Sequence, residues 1–115
     1  MEKQKRILFG YTRNELNEIV IYEEQAEVVK LIFELYSLDQ SLSKISEHLE
    51  MYRVPSPSNK PLWGRQIINN VLSNENYLGN SNYPRIISEE LWNSVQNKKN
   101  NNGYSMRYSQ SKSAV

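Results

Sequence analysis

The side chains best suited to recognition chemistry lie between Arg65 and Ser73, in the stretch GRQIINNVLS. At a helical period of about 3.6 residues, Ile67, Ile68, Val71 and Leu72 share one face, and Arg65, Gln66, Asn69, Asn70 and Ser73 share the other. Arg65 then stacks above Asn69 and Gln66 above Asn70. An arginine fork matches O6 and N7 of guanine, and the paired donor and acceptor of Asn or Gln match N6 and N7 of adenine. The chemistry on offer is hydrogen-bonded readout of base edges, with no bond made or broken. The alternative is a plain solvated surface, since Asn is plentiful throughout the chain. Solvated faces more often carry Glu and Lys, however, and this one meets no acid before Glu75.

Bond-making chemistry has no comparable constellation. The single histidine, His48, stands beside Glu47, off the apolar seam of its segment, and is expected to be exposed. Without cysteine, a second histidine or a carboxylate pair at ligand spacing, neither a metal site nor a nucleophile–base–orienter set can be assembled. No cofactor is implied.

Around the polar face lie cations able to meet phosphates: Lys44, Arg53 and Lys60, with Lys3, Lys5 and Arg6 in the first residues. Residues 1–6 are expected to form a flexible basic arm, either a frayed start or a segment that follows DNA. Arg53 and Lys60 border RVPSPSNKP, whose Pro55, Pro57 and Pro61 each remove an amide donor and bias the preceding residue away from helix. The loop is either a plain connector or a platform that presents these two cations.

The whole chain adds little to this by bulk charge. Its 115 residues carry a net charge of +1, so no global basic field marks a polyanion partner. The acids cluster between Glu15 and Glu50, while residues 51–74 and the chain from Gln96 onward contain none. Such asymmetry is compatible with a polyanion on one side. With 38% hydrophobic residues the chain is expected to build one core. No signal peptide and no apolar run of about 20 residues is present, so a soluble cytoplasmic protein without membrane contact is expected.

The elements that must position these side chains are legible from pattern. Residues 7–22 alternate around a polar turn and predict a β-hairpin. Glu23–Leu38 predicts a helix with a stripe broad enough to be buried on two sides (Ala26, Val29, Phe33 and Tyr36, widened by Val28, Ile32 and Leu35). Ser41 suits the N-cap of a second helix to about Met51, with Leu42, Ile45 and Leu49 as its seam. Trp63 is expected to plug the core at the entrance of a third helix, Gly64–Ser73, capped by Gly64. Asn74–Tyr83 predicts a turn region leading into a short extended piece. Ser88 caps a fourth helix with Leu91, Trp92 and Val95 inward, Glu89 and Glu90 in its first turn, and Lys98 and Lys99 at its end. The expected class is mainly α (α+β): a small helical domain over residues 7–99, with an N-terminal hairpin, a helix-turn-helix-like element, and a disordered tail or linker over 100–115.

Placed in this order, the segments resemble the recombinase domain of large serine recombinases, the site-specific integrases of the resolvase–invertase superfamily. The resemblance runs from Phe9 to Gln96. It rests on Gly10-Tyr11, EEQAEVVKLIFELY from Glu23, SLSKISEHL from Ser41, Val54-Pro55-Ser56-Pro57, and Trp63 followed by Ile67, Ile68 and Leu72. Asn74, Tyr77 and Gly79 and then IISEELW from Ile86, with Val95-Gln96, complete it. The sequence departs from the family pattern at Leu8, at Gly64 and at Glu75, where proline, a capping Ser or Thr, and proline are usual. No N-terminal serine nucleophile with its arginine cluster appears, nor the zinc-binding domain and coiled coil that would follow.

The resemblance implies a DNA-binding module of a bacterial mobile element, read as non-catalytic in itself. It would bind part of an attachment site or terminal repeat as one protomer of an assembly, with a catalytic recombinase domain or full-length recombinase protomers as partners. Arg65, Gln66, Asn69, Asn70 and Ser73 would then read bases, while Lys44, Arg53, Lys60, Lys3, Lys5 and Arg6 would contact the DNA backbone. The competing class is a protein-interaction or accessory regulatory module of such an element. Its mark would be an exposed apolar patch in place of a cationic one, for instance Trp92, Tyr77 and Tyr83 gathered on the surface.

Overall fold

The computed structural model describes residues 7–101; the basic arm with Lys3, Lys5 and Arg6 and nearly all of the expected tail lie outside them. Strands β1 (Tyr11–Arg13) and β2 (Ile19–Ile21) pair antiparallel, Tyr11 opposite Ile21 and Arg13 opposite Ile19. The hairpin is shorter than the expected 7–22 because Gly10 breaks it. At φ 107° Gly10 turns the chain, with Tyr11 N–H donating to Leu8 O. Any Cβ there would stand 3.1 Å from Ile86 Cδ1. The hairpin loop is held by Asn14, whose Oδ1 accepts from the amides of Leu16 and Glu18.

Helix α1 (Glu23–Ser37) is the central beam, touching β1 and each of the other three helices. Its buried residues, Ala26, Val29, Ile32, Phe33 and Tyr36, trace the predicted stripe. Full burial of one such large apolar side chain contributes about 1.5–3 kcal/mol, which is why a broad stripe dictates a central position. Helix α2 (Leu42–Met51) begins at Ser41, whose side chain accepts from Lys44 N–H at 3.1 Å, and buries Ile45 and Leu49. His48 is exposed, as its position off the seam implied.

Trp63 is fully buried and locks the loop after α2 at three points. Its indole N–H donates to Val54 O (2.8 Å), its amide donates to Glu50 Oε2 (2.7 Å), and its carbonyl accepts from Ser46 Oγ (2.5 Å). Its ring meets Phe9 edge-on at 5.7 Å. Helix α3 (Arg65–Leu72) therefore leaves the core at a fixed angle to α2, giving the helix-loop-helix unit its rigidity.

Residues 74–83 contain a 3₁₀ turn (Glu75–Leu78) and then a polar turn closed by Asn80, with no strand among them. Tyr77, fully buried, anchors this segment inward. Its hydroxyl donates to Phe9 O at 2.7 Å and its carbonyl accepts from the amides of both Ile86 and Ile87. Helix α4 (Glu89–Asn101) starts from Ser88, whose Oγ accepts from Leu91 N–H, and packs against α1 through buried Val95. It runs to Asn101, past the domain end expected at Lys99. The result is a small α+β domain, mainly helical, with the hairpin at one end. No helix of the described residues is long and apolar enough to cross a membrane.

Candidate nucleic-acid interface

Helix α3 buries Ile68, Val71 and Leu72 and turns its polar stripe outward. Arg65, Gln66 and Asn70 are exposed, and Gln66 Nε2 donates to Asn70 Oδ1 at 2.9 Å. This i, i+4 bond holds two amide side chains side by side, leaving each with further donor and acceptor capacity. Asn69 differs: it is half-buried, and its Oδ1 is shielded from solvent with no hydrogen-bond partner. It stands on the flank of the stripe beside Leu72, so Asn69 is less free than sequence spacing suggested. Ser73 caps the helix and is exposed, but its Oγ accepts from Lys99 Nζ, reaching across from the end of α4.

The flanking cations are open. Lys44, Arg53 and Lys60 are exposed, and the two ion pairs among the described residues, Lys30–Glu27 and Lys98–Asp39, involve none of them or Arg65. Arg53 sits at φ 55°, in the left-handed region, as the residue that reverses the chain after α2. Lys60 closes a small loop in which Ser56 N–H donates to Lys60 O and Asn59 N–H donates to Ser56 O. Glu50, in the last turn of α2, is held by the Trp63 amide, and the outer face of α3 itself carries no acid. A groove of about 540 Å³ follows the other flank of α3, lined by Phe9, Gln25, Pro57, Ile67, Asn70 and Tyr83 among others.

Two contacts here were not legible from spacing: Lys99 with Ser73, and Gln96 Nε2 donating to Leu72 O at 2.7 Å. Both tie the end of α4 to the end of α3, and only three-dimensional packing brings those ends together. Burial lowers the Lys99 ammonium below the usual lysine range. Tyr11 is pushed up to about 12 by burial and by Tyr83, and Tyr77 is raised by burial, so neither supplies a phenolate. Among the described residues no group of three or more His, Cys, Asp and Glu could hold a metal ion.

Trp92, Tyr77 and Tyr83 do not gather in one exposed patch, while Met51, Tyr52 and Leu62 are exposed. Tyr77 is buried, Trp92 packs on Phe33 at 5.9 Å, and Tyr83 on Tyr11 at 4.7 Å.

The likeness to known proteins lies at the level of the whole domain. The family model described as Recombinase matches residues 23–102. A crystal structure of an LSR–DNA complex (LSR, large serine recombinase) superposes with a TM-score of 0.65 at 25% identity, covering 84% of this chain and 33% of that one. A second structure, from work on the sequence requirements of the Listeria innocua prophage attP site, gives the same TM-score and identity over 85% of this chain and 44% of that one. The chain thus spans well under two thirds of the proteins it matches.

Proposed function

Because the chain belongs to the Recombinase family, as a recombinase domain of the large serine recombinase type, we propose that it binds double-stranded DNA sequence-specifically during site-specific recombination. Helix α3 would enter the major groove. Strand cleavage by a serine nucleophile would belong to another domain of the assembly, and the target would be part of an attachment site or terminal repeat in the cytoplasm. The observation that carries this reading is the acid-free outer stripe of α3, exposed at Arg65, Gln66 and Asn70 and held rigid by Trp63.

Eight helical residues from Arg65 to Leu72 rise about 12 Å, enough to lay side chains in a groove about 12 Å wide. Arg65 and Gln66 meet bases first, with Asn69 and Asn70 behind and Ser73 at the far end. Lys44, Arg53 and Lys60 position the backbone, and Lys3, Lys5 and Arg6 extend the same role from the chain start. Asn69 Oδ1, left without a partner by the fold, has hydrogen-bonding capacity that a small movement would offer to a base.

Selection from a random duplex library, followed by titration of the enriched sequence and its scrambled counterpart, tests the reading. Arg65→Ala is expected to cost about 1–3 kcal/mol on the enriched sequence and little on the scrambled one. Lys60→Ala is expected to weaken both alike and flatten the salt dependence by about one unit. Equal losses on both duplexes for Arg65→Ala would refute the division of roles.

A further inference from the structure

The outer stripe of α3 has its own cation only at the first residue, Arg65, and none in its last turn. The C-terminal end of a helix carries partial negative charge, which opposes a phosphate brought close to it. The fold answers this from elsewhere. Lys99, near the end of α4, places its ammonium against Ser73 Oγ at that C-terminal end. The adjacent Lys98 is committed elsewhere, 2.6 Å from Asp39 at the end of α1.

Ser73 follows Gln66 by one heptad, which returns to the same side of a helix within about 20°. The Lys99 ammonium therefore lies at the far end of the stripe that Arg65 opens, about 12 Å further along the axis at 1.5 Å per residue.

Resting on the reading above, we propose that Lys99 is a DNA-backbone contact, delivered by α4 to the end of α3 that lacks a cation of its own, with Ser73 turned from the base-reading stripe to the backbone as its positioning partner. The chemistry is specific to a phosphate oxygen. Lys99 has three ammonium donors and spends one on Ser73 Oγ; the Ser73 hydroxyl, accepting from Lys99, still has its own proton to donate. Two converging donors then face one anionic oxygen, while a compact point charge offers no base discrimination. Burial has already stripped part of the water from this ammonium, so less hydration remains to be lost on contact.

The test uses the whole chain and a labelled duplex pool of mixed sequence, titrated by fluorescence anisotropy across a series of salt concentrations. Lys99→Met keeps the aliphatic stem and removes the charge. It is expected to reduce affinity on all sequences and to make the slope of log K against log salt shallower by about 0.9, the value of one phosphate. Lys99→Arg is expected to restore the slope, and Lys98→Met to leave it unchanged. An unchanged slope in Lys99→Met beside a lowered Tm would overturn the proposal, since Lys99 would then be only a cap on α3. The same loss of slope in Lys98→Met would also overturn it. Wild-type binding that ignores salt altogether would instead sink the underlying DNA-binding reading, a distinct result from a Lys99 variant failing alone.

Discussion

Helices α1 and α2 end in the same backbone device but place opposite charges on it. After α1, Asp39 takes φ 73°, its amide donates to Tyr36 O and that of Gln40 to Leu35 O. After α2, Arg53 takes φ 55°, its amide donates to Glu50 O and that of Val54 to Leu49 O. This paired bonding satisfies carbonyls left over at a helix end and usually places glycine at the left-handed position. Both ends therefore carry a strained side chain, of order 1–3 kcal/mol. Aspartate tolerates the conformation better than arginine, because a short polar side chain bonds locally.

The two strains are answered differently. The Asp39 carboxylate, unfavourable beside the negative end of its own helix, is met by Lys98 at 2.6 Å. Arg53 suits its helix dipole but leaves its guanidinium exposed, with no ion pair among the described residues. One junction is closed within the fold, and the other points its charge outward, beside the loop that leads into α3. Strain retained without an internal partner is a reason to look for an external one, and on the proposed function that partner is a phosphate.

The sharpest way to break this contrast is at the anchor that only the Arg53 junction possesses. Trp63 donates its indole N–H to Val54 O, next to Arg53. Trp63→Ala is expected to cost about 3–5 kcal/mol in urea unfolding and to abolish DNA binding by freeing α3. A loss below 1 kcal/mol would show that the loop, not the indole, sets the angle between α2 and α3. Next, Arg53→Gly relieves the left-handed strain and forfeits the dipole contact, so stability should stay level or rise by up to about 1 kcal/mol. DNA affinity should fall at the same time, with a salt slope shallower by about 0.9. A fall in stability with DNA binding intact would make Arg53 a structural residue like Asp39.

Asp39→Gly sharpens the other side. The strain at an aspartate lies at the low end of the range for a left-handed residue, so its relief and the loss of an exposed ion pair worth about 0–1 kcal/mol nearly cancel; thermal unfolding should shift little and the salt slope of DNA binding should not move. Smallest is Gly64→Ser. Gly64 caps α3 with ordinary φ −68° and no side-chain bond, and a Cβ there would meet nothing within 4 Å. Serine is expected to add a few tenths of a kcal/mol by accepting an amide of the first turn, measured as a small rise in urea midpoint.

Much of this architecture was readable in advance, and the reasons are local. The stripe on α1 is wide enough to be buried whatever surrounds it; Ser41 caps α2 through a bond to its own third neighbour, and Gly79, in the expected turn region, lies at φ 95°, a value that side chains disfavour. Residues 7–10 were misjudged because their alternation fits a strand, while the bend at Gly10 depends on Ile86 and Tyr77, far along the chain. The polar stripe on α3 was visible from period alone. That Asn69 is half-shielded and Ser73 engaged by Lys99 was not.

The sequence by itself determined the helices, the inward preference of Trp63 and the absence of acid along the outer side of α3, since each follows from residue type and local period. Tertiary structure alone decided which cations remain free. Lys98 and Lys99 are neighbours of the same charge, yet Lys98 is tied to Asp39 and Lys99 is brought to Ser73. Adjacent residues on a helix point in directions about 100° apart, and what each direction meets is set by the packing of α4 against α1, which brings it within bonding reach of the end of α3.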